Sequence, residues 1–304
     1  MDQIQAMRVF ARVVESGTFT LAATSLQLPK ASVTKHVQAL EDRLRVKLLN
    51  RTTRRVTVTT DGAAYYDRAV RLLSDFDELE ASMSQVRATP RGRLRVDVGT
   101  SIARLLVIPQ LETFQARYPD IQIDLGVTDR TVDLIADNVD CVVRGGELRD
   151  QSLVARRVGN VEFLTVASPA YLQRQGTPQH PRDLENGHNS VIYFSPVTQR
   201  RYPLEFQHNS ESIEIANPST LAVNEANAYT TCLLSGQGVG QITSYQAREY
   251  LQSGQLVQIL PEWTQPLLPV YVVYPPNSHL SAKVRAFVDW VVEIFAADPL
   301  LQCK

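Results

Sequence analysis

Cysteine and histidine are scarce in this chain of 304 residues, with three of the first and five of the second. Cys141, Cys232 and Cys303 lie far apart, with no Cys-x-x-Cys and no histidine at metal-ligand spacing, so neither a disulfide framework nor a zinc site is suggested. Long apolar runs are missing as well. No window approaches the ~18 uninterrupted apolar residues that a membrane helix needs, and Met1 to Gln5 hold no basic segment leading into an apolar one. Secretion and membrane spanning are therefore not expected, and a reducing cytoplasm is. Catalytic signatures are equally thin: there is no Gly-x-Ser-x-Gly, no P-loop, no dinucleotide-binding glycine pattern behind the first strand and no zincin His-Glu pair. The short run Gly236 to Gly240 reads as a tight turn between a helix and a strand. An enzyme is not expected, and no cofactor or metal is implied.

What the chain does have is an uneven charge. Residues 1–60 carry ten Lys/Arg against four Asp/Glu, whereas residues 61–304 carry 21 against 28. Only the N-terminal fifth is suited to a polyanion, with a solvated basic face as the lesser alternative from charge alone.

Hydrophobic spacing separates those two readings. Ile4, Met7, Phe10 or Ala11, and Val14 recur at three- and four-residue steps, which predicts a helix stopped at Gly17. Thr18 can cap a second, compact helix whose small Ala22 and Ala23 let a neighbour approach closely. Pro29 suits the first turn of a third, in which Val33, Val37, Leu40 and Leu44 form the core-facing stripe. Its other face presents Lys30, Ala31, Ser32, Thr34, Lys35 and Gln38. Short hydrogen-bonding side chains and cations of this kind let a helix enter the major groove and reach base edges and phosphates. Residues 47–59, rich in β-branched side chains and cations, predict a two-stranded wing with Arg51, Thr52, Thr53 and Arg54 near its tip.

The ordered series Phe10 to Ala23, Gln38 to Glu41, Leu48 to Arg54 and Thr60 to Gly62 resembles the LysR-type transcriptional regulators over about 60 residues. Two departures stand out. Pro29 and Lys30 occupy positions where many members have Ser and Gln, and Arg45 replaces a frequent Gly before Val46; the second reads as a tolerated turn substitution. The resemblance implies double-stranded DNA as a partner, with Thr18 joining the helix and wing residues above at the interface.

Beyond the wing, Tyr65, Ala69, Leu72, Phe76, Leu79, Met83 and Val86 repeat at alternating steps of four and three. That heptad predicts a paired coiled coil, the alternative being a single helix packed on its own domain. In the family this linker helix joins two DNA-binding domains, which implies a dyad-symmetric operator. Thr89 to Gly92 marks a hinge.

From there the pattern becomes short apolar runs alternating with helical ones, including a helix near Thr131 to Asn138. It predicts an α/β fold with mostly parallel sheets. Phe114 to Asp120, Ser168 to Leu172 and Gly236 to Gly240 resemble the family's effector-binding region, a two-lobed fold like that of periplasmic binding proteins. The fold class expected is thus α/β, with an N-terminal winged helix-turn-helix, a long linker helix and a C-terminal two-lobed α/β domain. Boundaries fall at 1–60, 61–89 and 90–304, with lobe I at about 92–164 plus 268–304 and lobe II at about 165–267.

Strand ends in such sheets point into the crevice between lobes. Thr100, Ser101 and Thr128 stand at such ends in lobe I. Arg144 closes a buried strand, where it suits either a carboxylate ligand or a structural ion pair. Tyr193, Phe194, Asn224 and Tyr229 are the candidates from lobe II, each fitting packing better than ligand contact. The expected effector is small and acidic. The resemblance further implies a homotetramer built as a dimer of dimers, allosteric control of DNA binding or bending, and RNA polymerase among the partners. Some members sense peroxide with a cysteine pair. Here Cys141 lies in an apolar strand and Cys232 in a helix, which reads as buried inert thiols, with a redox-sensing regulator as the alternative.

Overall fold

The computed structural model describes residues 2–51, 56–83, 90–137, 139–146, 153–216, 221–276 and 280–302. It forms two compact units, residues 1–89 and 90–304.

In the first unit, helix α1 (Gln3–Ser16) starts where Asp2 accepts the amides of Ile4 and Gln5, and ends at Gly17, whose φ of 68° is left-handed. Thr18 caps α2 (Phe19–Leu26) through the amide of Leu21. Helix α3 spans Lys30–Leu44. Pro29 stands one residue before that helix, not within its first turn, and its carbonyl takes the amides of Ser32 and Val33. Val9, Phe10, Val13, Ala22, Val33, Val37 and Leu40 close a single core. Strands β1 (Leu49–Arg51) and β2 (Val56–Val58) pair antiparallel as the wing.

The long α4 (Thr60–Met83) follows. Its first turn lies so close to the wing that a Cβ at Gly62 would collide with the carbonyl of Leu48. Here the expected dimer seam needs correction. Tyr65 packs edge-on against Phe10, with ring centroids 5.6 Å apart, and Ala69 is buried, because the start of α4 lies against α1. Both are used by the chain's own domain. Leu72 is 58% exposed and Phe76 half-buried. Val86 and the side chains of Leu79 and Met83 lie outside the described residues.

In the second unit, β3 (Gly92–Val98) leads into α5 (Thr100–Ile102), which passes through a π-helical turn at Ala103–Val107 into α6 (Ile108–Arg117). Next come β4 (Ile121–Val127), β5 (Cys141–Gly145), β6 (Val154–Val161), β7 (Phe163–Ala167) and α7 (Pro169–Gln175). Then β8 (Val191–Tyr193), the hairpin β9 (Leu204–His208) and β10 (Glu211–Ile215), and β11 (Leu221–Val223) precede α8 (Ala226–Leu234). The chain closes with β12 (Gly240–Thr243), α9 (Ser244–Gln252), β13 (Val257–Gln258), β14 (Leu268–Tyr274) and α10 (Ala282–Ala296).

Five strands in the order β4-β3-β5-β14-β6 make the sheet of one lobe, covered by Phe114, Phe287, Trp290 and Phe295. The other lobe holds the pairs β8/β11 and β9/β10 and the three strands β12-β7-β13. The sheets are mixed instead of mostly parallel. Strands β3, β4 and β5 run parallel, but β14 returns from lobe II and pairs antiparallel with both β5 and β6. The helix expected over Thr131 to Asn138 is a turn at residues 134–137. Asp133 takes the amides of Ile135 and Ala136, a local arrangement that competes with a helical start.

Candidate nucleic-acid interface and effector cleft

Helix α3 offers its outer face as the spacing predicts. Lys30, Ala31 and Lys35 are exposed, Ser32, Thr34 and Gln38 are half-buried, and Val33, Val37 and Leu40 are inside. Two of the polar side chains already have partners on the same helix: Thr34 Oγ1 donates to the carbonyl of Lys30 at 3.0 Å, and Gln38 Nε2 to Asp42 at 2.9 Å. Thr18 spends its hydroxyl oxygen on its cap. Thr52, Thr53 and Arg54, and the side chain of Arg51, lie outside the described residues. The sequence reading passed over the role of Glu41. Its carboxylate is buried at the end of α3 and accepts the amides of Leu48 and Leu49 at 2.9 and 3.1 Å, with Lys47 Nζ at 3.2 Å. This acid ties α3 to the wing.

Between the lobes, residues from both sides meet around one carboxylate, that of Asp129. It accepts from the amide and hydroxyl of Thr100 at 2.9 and 2.8 Å and from the amide of Ala226, first residue of α8, at 2.8 Å. Tyr193 stands close enough to Asp129 and Glu225 that burial and their negative charge push its hydroxyl well above the usual phenol range. The same hydroxyl donates to the carbonyl of Asn224 at 3.3 Å.

Arg144 is not a free cation. Its guanidinium lies 3.5 Å from Asp97 and donates to the carbonyl of Arg130 at 2.7 Å. Burial pulls Arg144 below its ordinary value, against the opposing influence of Asp97 and Asp129. Asp97 is buried on β3 beside Gly126, where a Cβ would press its carboxylate at 2.7 Å. Burial raises it to about 6, an effect that Arg144 only partly offsets.

The remaining expected residues sit differently. Ser101 is buried, its hydroxyl 2.7 Å from that of Tyr245. Thr128 accepts the amide of Arg130, and Phe194 joins a bridge to Arg201. Tyr229 is a correction: it is 4% exposed in the core of lobe II, donates to the carbonyl of Val191 and accepts the amide of Gln241. Both hydrogen-bonding capacities of its hydroxyl are satisfied internally, so it is a packing residue and does not face a ligand. Asp97, Asp129 and Glu225 complete the cleft; the strand-end position of Asp129 beside Thr128 was the legible signal for it.

Comparison with known proteins settles the family. Residues 4–63 match the bacterial regulatory helix-turn-helix proteins of the lysR family, and residues 87–296 match the LysR substrate binding domain. The chain belongs to the LysR family. It is a DNA-binding transcriptional regulator with an effector-binding domain. It is 40% identical to an HTH-type transcriptional repressor of Pseudomonas aeruginosa, over 99% of this chain and 95% of that one. It is also similar to CrgA, a LysR-type transcriptional regulator from Neisseria meningitidis, whose solved structure shares 32% identity, covers 95% of this chain and 97% of its own, and has a TM-score of 0.60. Full-length AphB, a Vibrio cholerae virulence activator, aligns at 29% identity and a TM-score of 0.59, over 95% of this chain and 98% of its own. Among the described residues of this LysR-family chain, no helix is long and apolar enough to cross a membrane. Burial in β5 pushes the Cys141 thiol far above its ordinary value, which disfavours it as a reactive thiolate.

Proposed function

We propose that the chain works in the cytoplasm as a homo-oligomer on a dyad-symmetric operator, reading base edges with the outer face of α3 and setting half-site spacing through α4. A small molecule held between the lobes changes their closure. The change is passed to the DNA-binding domains as altered occupancy or bending, and so to RNA polymerase at the adjacent promoter. The observation that carries the reading is the face of Lys30, Ala31 and Lys35, exposed on a helix whose opposite face buries Val33, Val37 and Leu40, while Leu44, expected in the same stripe, is exposed. A coupling of ~1–3 kcal/mol between cleft and operator is enough to shift occupancy several-fold.

The test is footprinting on DNA upstream of the chain's own gene and its divergent neighbour across a salt series. Protection of a two-fold symmetric site, lost steeply with salt as phosphate-bound cations are released, is the expected result. Protection without symmetry, or binding insensitive to salt, contradicts it.

A further inference from the structure

We propose that Asp129 is a tethered anion that fills the anion-binding position at the N-terminus of α8 between the lobes, so that this position does not take the carboxylate of an effector. The inference rests on the cleft being the effector site.

The Asp129 carboxylate holds three donors at 2.8–2.9 Å: two from Thr100 in lobe I and the amide of Ala226 in lobe II. A carboxylate has about four lone-pair sites, so little accepting capacity is left. Helix α8, nine residues long, turns its N-terminal amides toward the same place, where an anion is favoured by the unpaired N–H groups and by the helix dipole. Those amides are already taken by the chain. Asp129 has Ala226, while Glu225 has Asn227 at 3.0 Å and Ala228 at 2.7 Å.

The nearby guanidinium is only partly committed: Arg144 lies 3.5 Å from Asp97 and donates to the carbonyl of Arg130, while its buried Nε has no partner among the described residues. An incoming acid would find the amides at the start of α8 occupied and the negative charge of Asp129 and Glu225 beside them. Because the three bonds span both lobes, Asp129 also positions α8 against the end of β3.

The experiment measures thermal unfolding of the full-length chain in sodium formate or acetate against sodium chloride of equal ionic strength. It needs no DNA, so its outcome is separate from that of the operator assay. In wild type, ~50 mM formate leaves Tm unchanged relative to chloride, because the position is filled. Asp129→Ala lowers Tm by about 5 °C and recovers about 3 °C of it in formate. Asp129→Asn, which fills the space with an amide, loses stability without recovery. Asp129→Ser provides the same reading if the alanine variant does not fold. Equal stabilisation of wild type by formate overturns the proposal, as does recovery in Asp129→Asn, or an Ala or Ser variant indifferent to both anions.

Discussion

Glu41 accepts the backbone amide of Leu48 at 2.9 Å, so the last turns of α3 are bonded directly to the start of the wing. Leu49 shares the same carboxylate oxygen, and Glu41 is 2% exposed. Replacing Glu41 by Ala orphans two buried amides and is expected to destabilise the DNA-binding unit by about 2–4 kcal/mol. Glu41→Gln keeps one acceptor and is expected to lose less. Urea unfolding of the full-length chain reads the difference. Equal stability of all three proteins would show that the tie is dispensable.

Lys35 and Gln38 sit on one face of α3 and are expected to have different tasks. Lys35→Ala is expected to weaken binding to every sequence and reduce the salt slope by about 1, as loss of one phosphate contact requires. Gln38→Ala is expected to change the preferred base at one position and leave the slope alone. Competition binding against single-base operator variants at several salt concentrations separates the two effects.

Arg45 ends α3 with a φ of 56°, a left-handed conformation in which a side chain is disfavoured. Sequence alone passes this substitution as harmless. Arg45→Gly is expected to stabilise the domain by about 0.5–1 kcal/mol, the relief at the cap exceeding the added freedom of the unfolded chain. A lower Tm in the glycine variant would mean that the arginine makes compensating contacts.

Asp97 carries the pH dependence of the cleft. Its folded value of about 6 is raised above the model-peptide value, 3.8, so the folded state holds the proton more tightly. Its contribution to stability is therefore fully present below pH ~4 and is lost as pH rises through about 6. Subtracting the Tm profile of Asp97→Asn from that of wild type should leave a fall confined to pH ~4–6. A flat difference would show that Asp97 does not titrate there.

The N-terminal half was the more legible. Gly17 stops α1, Thr18 caps α2, and the three-four spacing of Val33, Val37 and Leu40 assigns the buried face of α3, because local backbone preference and helical periodicity decide each. The heptad on α4 was legible as a pattern but not in its use, since period alone does not say which partner covers Tyr65 and Ala69. In the cleft, Thr100, Arg144 and Tyr193 come near Asp129 because strand ends in an α/β sheet converge. Tyr229 was misplaced, since a tyrosine one turn into a helix carries no sign of which side its hydroxyl will find partners.

The sequence by itself determined the family, the helix-turn-helix and the alternation of strands and helices, all properties of short windows with definite periods. Only the tertiary structure decided the charge balance of the cleft. Asp97, Arg144, Asp129 and Ala226 are up to 129 residues apart in the chain, and their pairing depends on β14 returning to the first sheet and on α8 ending its approach at Asp129. Whether an arginine is a ligand or a satisfied ion pair is set by which carboxylate the fold brings within ~4 Å, and no local pattern encodes that distance.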